Sequence, residues 1–240
     1  MAAVNAVQFT YTLAWTAGCI TAALLVYLAT GGNRRIPLRM ASWLWAPGLL
    51  AFSGPLRVEG LERVDWSRPY VLVANHQSVI DICALFRAVP VPLRFLLKQE
   101  MTKMPFVNWY ARAMGMVFIP RDDRRAATAS LRRSAELVRS GAVLCIFPEG
   151  TRSRDGKLAP FKPGAFQVAI DAGVQVLPVA LEGTGDVLPP TGFFRVRWGP
   201  MRVRFGAPLP LHEATGARGR QELAARAQAA VEALLRERPA

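Results

Sequence analysis

A chain of 240 residues with 30 Lys and Arg against 17 Asp and Glu, a formal charge of +13, has room for one domain with a substantial core but not for two plus a membrane anchor. The surplus charge calls for an anionic partner, whether nucleic acid, an anionic bilayer or an acidic substrate or carrier, and its sign alone does not choose among them. Three dispersed cysteines (Cys19, Cys83, Cys145) and two histidines (His76, His212) argue against a disulfide framework, a zinc site or any other protein-held metal, and no cofactor is expected.

Residues 1–33 carry no charged side chain, and the run from Phe9 to Thr30 is long enough to cross a hydrocarbon core, which takes about 20 apolar residues. Its threonine hydroxyls can return to the helix's own carbonyls. Arg34, Arg35 and Arg39 follow the run instead of preceding it, which argues against a secretory signal and, by the positive-inside tendency, places the rest of the chain on the cytoplasmic side. A second apolar stretch, "MASWLWAPGLLAFSGPL" (40–56), is short and interrupted by Pro47, Gly48 and Pro55. It reads either as a helix at headgroup level, where Trp43 and Trp45 fit, or as a buried core segment. Residues 1–56 thus form the membrane-associated part and 57–240 the remaining domain.

From Gly54 on, short apolar runs alternate with helical patterns. "YVLVAN" (70–75), "LRFLLK" (93–98), "GMVFIPR" (115–121), "AVLCIFPEG" (142–150) and "VQVLPVALEG" (174–183) read as strands. Helices fall on "SVIDICALFRAVP", on the basic stretch "DDRRAATASLRRSAELVRSG", on "GAFQVAIDAG" ended by Gly173, and on the amphipathic "QELAARAQAAVEALLRER" near the C-terminus. "FFRVRWGPMRVRFG" (193–206) reads as an arginine-studded hairpin turning at Gly199–Pro200. The sum is an α/β fold, a mostly parallel central sheet flanked by helices, behind an N-terminal membrane-associated helical segment.

"NHQSVID" (75–81) follows the first of these strands. Inside one helix, residues five apart stand about 140° from each other and cannot touch, so His76 and Asp81 pair only if His76 is on the loop and Asp81 in the first helical turn. With Ser78 as N-cap, Asp81 would occupy N3, where a carboxylate also suits the helix dipole. In the functional reading Asp81 bonds one ring nitrogen and leaves the other as a base for a hydroxyl or thiol proton. The chain has no G-x-S-x-G elbow, so the hydroxyl is expected to be the substrate's.

These residues resemble the H-x-x-x-x-D signature of the glycerolipid acyltransferases, and the chain is most similar to bacterial-type 1-acyl-sn-glycerol-3-phosphate acyltransferases. "GMVFIPR", "FPEGTRS" (147–153) and "LPVAL" (177–181) follow in that family's order, and "KQEMTKMPFVNWYARAMG" (98–115) and "FKPGAF" (161–166) resemble its intervening sequence. Pro120 departs from the polar or acidic residue that many members carry there.

The resemblance implies transfer of a fatty acyl group from acyl-CoA or acyl carrier protein to the sn-2 hydroxyl of lysophosphatidic acid at a bacterial-type inner membrane, without a covalent acyl-enzyme. His76 and Asp81 would be catalytic. Arg121 and Arg152 would clamp the acceptor phosphate, with Lys98 adding charge, while Glu149, Gly150, Thr151, Gly115, Phe118 and Pro178 would shape the site. For Glu149 a buried ion pair with either arginine is an equal account, and for each arginine the alternative is a solvated surface position. Other readings are an acyltransferase for a different lysolipid, such as lyso-ornithine lipid, and a noncatalytic basic membrane-binding protein, which leaves the ordered motifs unexplained. A nucleic-acid partner is not expected, because only the charge speaks for one.

Overall fold

The computed structural model describes residues 2–120, 122–192, 194–211 and 216–237; Arg121 and His212 lie outside the described residues. In chain order the elements are α1 (Ala2–Ala29), α2 (Arg35–Met40), a π-helical turn (Ala41–Trp45), α3 (Ala46–Leu50), β1 (Leu56–Glu59), β2 (Val71–Ala74), α4 (Ile80–Ala88), β3 (Leu93–Lys98), α5 (Pro105–Ala113), β4 (Val117–Ile119), α6 (Arg124–Arg139), β5 (Val143–Ile146), α7 (Gln167–Ala172), β6 (Val176–Glu182), α8 (Thr184–Val187), β7 (Met201–Phe205) and α9 (Gly216–Arg236). The strands form one seven-stranded sheet in the order β1-β7-β6-β2-β5-β3-β4. Every neighbouring pair is parallel except β6 with β7, which is the mostly parallel α/β architecture expected.

The period of two along each strand builds two cores. Leu72 and Ala74 of β2, Val143 and Cys145 of β5, and Leu177 and Val179 of β6 face α4 and the α2–α3 segment. Val71, Val73, Leu144, Ile146, Val176 and Ala180 face α6, α7 and α9. With both faces covered, the central strands read as nearly unbroken apolar runs. That is why they were legible in the sequence.

Three expectations need correction. Residues 194–200 form no strand, so the hairpin at 193–206 is absent among the described residues. Both edges of β7 are already occupied, by β1 on one side and β6 on the other. The preceding segment bonds elsewhere: Gln8 of α1 brackets Val196 through its side-chain amide, Arg197 N–H donates to Val187, and Gly199 N–H to Ser53. Second, β1, four residues with two charges, was not recognised as a strand and exists by pairing with β7. Third, Ser78 is not the N-cap, which falls on Val79; the Ser78 hydroxyl instead accepts from Ile80 N–H and donates to the Leu188 carbonyl.

The helical stretch anticipated at 40–56 starts earlier, at Arg35, and its inner face is buried at Leu38, Ala41 and Ala46 while Trp43 stays exposed. It is therefore core on one side and open on the other. α1 is held along its length against this segment and the body. Tyr11 donates to Gly48 O, Trp15 to Trp45 O, and Trp45 to Thr16 Oγ1. Phe9 packs edge-on to Phe194, and Arg34, just past the helix, donates to Ala113 O of α5.

At the opposite edge of the sheet Arg204 is 2 % exposed, with its guanidinium 2.8 Å from Glu59 and 2.8 Å from Glu182, and it donates to Leu234 O at 2.6 Å. One side chain thus joins β1, β6, β7 and α9. Arg204→Ala is expected to cost roughly 2–4 kcal/mol, somewhat under the full buried-pair penalty because both glutamates keep some water contact. Denaturant unfolding in detergent measures it, and a change below about 0.5 kcal/mol, the range of an ordinary surface substitution, would show that the network does not brace the edge.

Candidate active site

Parallel strands bring their C-terminal ends to one edge, where ligands of open α/β sheets usually bind. β2 and β5 are neighbours, with Val73 opposite Ile146, so the loops that follow them, carrying "NHQS" and "FPEGTRS", leave the sheet side by side. Asn75 prolongs the pairing of β2 with β6 through its side chain, accepting from Leu181 N–H at 2.7 Å and donating to Leu181 O at 2.9 Å. His76 therefore begins its loop from a fixed point.

His76 lies on the loop and Asp81 in the first turn of α4, the arrangement that the five-residue spacing requires. The imidazole Nδ1 is 2.7 Å from Asp81 Oδ2, and the same oxygen accepts from the backbone N–H groups of Gln77 at 2.6 Å and Ser78 at 2.8 Å. The Asp81 side chain is fully buried, whereas that of His76 keeps 15 % exposure. Because a carboxylate that already takes two N–H groups acts as an acceptor, Nδ1 carries the proton in the neutral ring and the lone pair sits on Nε2. Among the described residues nothing bonds to Nε2, which leaves it available to a substrate hydroxyl.

The second loop grips the first. Glu149 is 3 % exposed and accepts His76 N–H on one oxygen at 2.7 Å and Ala159 N–H on the other at 2.8 Å. Ser153 N–H donates to His76 O at 2.7 Å, and the ring of Phe147 stacks on the imidazole, centroids 4.0 Å apart and planes 16° apart. Burial pushes the Glu149 carboxyl above its usual range, opposed by the two N–H groups it accepts. The ion pair with Arg152 considered from the sequence is not formed; Glu149 serves two backbone amides instead.

Gly150 follows at φ +75°, a left-handed turn, and a Cβ there would lie 2.7 Å from Lys162 Nζ. The loop thus needs glycine for its turn, and the Lys162 ammonium lies close over it. Arg152 is partly exposed beside Thr151, and among the described residues no carboxylate pairs with it. Lys98 ends β3 opposite Ile119, and Phe118 pairs with Leu97 in the adjoining strand, its ring under the Arg112 guanidinium.

Two of the residues singled out stand away from this edge. Gly115, at φ +73°, precedes β4 and lies against Arg34, at the other end of its strand. Pro178 is opposite Val73 inside β6 and accepts from Gly206 N–H where β7 ends, a place that can forgo a ladder donor. Sequence reasoning missed Phe147, Ser153 and Lys162 as individuals, although all three sit inside the "FPEGTRS" and "FKPGAF" blocks. Neither nearby thiol is fit to be a nucleophile: Cys83 is pushed up to about 12, first by burial and then by Asp81, and Cys145 is raised for the same reasons.

The Acyltransferase family model matches residues 55–182. The chain is 40 % identical to a chloroplastic 1-acyl-sn-glycerol-3-phosphate acyltransferase of Brassica napus over 63 % of its own length and 44 % of that protein's. It is 38 % identical to one of Chlamydomonas reinhardtii, over 76 % and 55 % respectively, so it spans about half the length of these curated relatives. The crystal structure of the 1-acyl-sn-glycerophosphate (LPA) acyltransferase PlsC from Thermotoga maritima superposes with a TM-score of 0.65 at 28 % identity, covering 97 % of this chain and all of that one. With His76, Asp81, Glu149 and every strand but β7 inside the matched interval, the chain belongs to the Acyltransferase family.

Proposed function

We propose that this protein transfers a fatty acyl group from a thioester, on coenzyme A or acyl carrier protein, to the sn-2 hydroxyl of 1-acylglycerol 3-phosphate, forming phosphatidic acid. The observation that carries the reading is the His76–Asp81 bond at the sheet edge, with Nε2 unengaged among the described residues. His76 Nε2 takes the hydroxyl proton as the oxygen attacks the thioester carbonyl. The tetrahedral adduct then collapses, the C–S bond breaks, and the imidazolium returns the proton to the departing sulfur. Asp81 holds the tautomer and offsets the positive ring, and Glu149 fixes the backbone that carries it. No acyl-enzyme is needed, in keeping with the two inert thiols.

Arg152, with Arg121 from the end of the "GMVFIPR" block and charge from Lys98, binds the acceptor phosphate, since a guanidinium matches a phosphate bidentately. Gly150 and Thr151 shape the loop beneath it. α1 attaches the enzyme to the membrane in which the acceptor resides, with the catalytic domain on the cytoplasmic side. α1 is long and apolar enough to cross a membrane, and its exposed side chains Val7, Leu13, Leu25 and Leu28 are the surface it offers to lipid.

Purified protein in detergent, offered a panel of lysolipids with each acyl donor, tests the substrate. Phosphatidic acid should dominate the products, and acylation of lyso-ornithine lipid with none of 1-acylglycerol 3-phosphate would overturn the choice of acceptor.

His76→Ala is expected to lower kcat by about 10²–10⁴-fold while leaving the fold intact. Asp81→Asn should be similarly severe, because an amide admits the wrong tautomer; folded His76→Ala protein with near-normal turnover would remove the base assignment. Arg152→Ala should raise the KM for the lysolipid by roughly 10–150-fold, the worth of a charge-assisted hydrogen bond, with little change for the donor. Monoacylglycerol, which lacks the phosphate, is the control. Equal losses on both acceptors would assign Arg152 to the fold or the donor site.

A further inference from the structure

We propose that Phe147 is a positioning residue that sets the plane of the His76 ring, an inference that rests on His76 as the base. The last torsion of a histidine side chain is broad, and the Asp81 bond anchors one ring atom while small coupled turns of the two side-chain torsions can still tilt the ring. A flat wall parallel to the ring removes that freedom. Phe147 supplies it at 4.0 Å and 16°, and the wall is itself braced. Phe147 stacks in turn with Phe95 of β3, centroids 6.2 Å and planes 17° apart, and Phe95 packs edge-on against Phe86 of α4 at 5.1 Å.

Both of those rings are at least 96 % buried, with exposures of 2 % and 4 %, so the wall is anchored in the core and not on a mobile loop. The bond to Asp81 holds one atom of the ring and the face contact with Phe147 limits its tilt. Together they leave Nε2 one direction in which to point. The negative face of the phenyl ring also favours the positive imidazolium formed during proton transfer. Leucine would fill much of the same space without a flat face or a quadrupole.

The chain has only two histidines, so ring-proton NMR of the detergent-solubilised enzyme, with His212→Gln for assignment, reads the stack directly. In the wild type the His76 ring protons should be displaced upfield by the phenyl ring current, and Phe147→Leu should return them to ordinary positions. The same variant should lose roughly 10- to 100-fold in kcat, the scale of a misplaced reacting group, with little change in KM for either substrate. Phe147→Tyr, which keeps the flat face, should retain most of the turnover.

Undisplaced His76 resonances in the wild type overturn the proposal whether or not Phe147→Leu folds. So does a folded Phe147→Leu enzyme with normal kcat, or a loss confined to KM. His76→Ala separates the two ideas: if it is inactive while Phe147→Leu turns over normally, only the positioning role fails. If His76→Ala remains active, the base assignment fails first.

Discussion

The site depends on a single oxygen. Asp81 Oδ2 is buried and takes three donors, the His76 imidazole and the backbone N–H groups of Gln77 and Ser78. A buried carboxylate without partners would be prohibitively costly, so the charge is tolerated only because the loop folds back over it. That same folding is what carries His76 into reach. Loop conformation, helix start and ring tautomer are therefore one arrangement: none of the three can change while the others stay. Asp81 Oδ1, buried and without a partner among the described residues, leaves the compensation concentrated on the oxygen that faces the ring.

The two motifs, some seventy residues apart, form a single device because β2 and β5 are adjacent and parallel. From neighbouring strand ends, "FPEGTRS" holds "NHQS" by three separate interactions: Glu149 on the His76 N–H, Ser153 on the His76 carbonyl, and Phe147 on the ring face. Glu149 also accepts from Ala159 and so ties down the far side of its own loop. A backbone amide bonded by a carboxylate is held more strongly than by a neutral acceptor. The raised Glu149 carboxyl shows the cost, since burial outweighs what the two amides return.

The central sheet was legible because strands covered on both faces must be apolar throughout, as "YVLVA" and "AVLCI" are. The edges were not. β1 is a four-residue strand with two charges, and "FRVRWG" (194–199) has a clean period of two yet forms no strand; β7's neighbours are already in place, a tertiary fact that no local pattern records. The site divided in a similar way. His76 and Asp81 could be paired from helical geometry alone, since five residues exclude a shared helix. The role of Glu149 could not be chosen, because a carboxylate serving backbone amides and one serving arginines look identical in sequence. Phe147 gave no signal either, since an aromatic residue at the end of an apolar strand is ordinarily core, and here it is core on one face and site on the other.

That double membership continues beyond the sheet. Phe86 packs edge-on against Trp45 at 5.8 Å, and the Trp45 indole donates to Thr16 of α1, so packed side chains run without a gap from the His76 ring to the apolar N-terminal helix. Contiguity of this kind does not by itself carry a signal, which would require an element with two arrangements. What it does supply is stiffness. A base that must meet a hydroxyl within a fraction of an ångström gains most from supports that do not move. In this chain the supports extend to α1, the long apolar helix at the N-terminus.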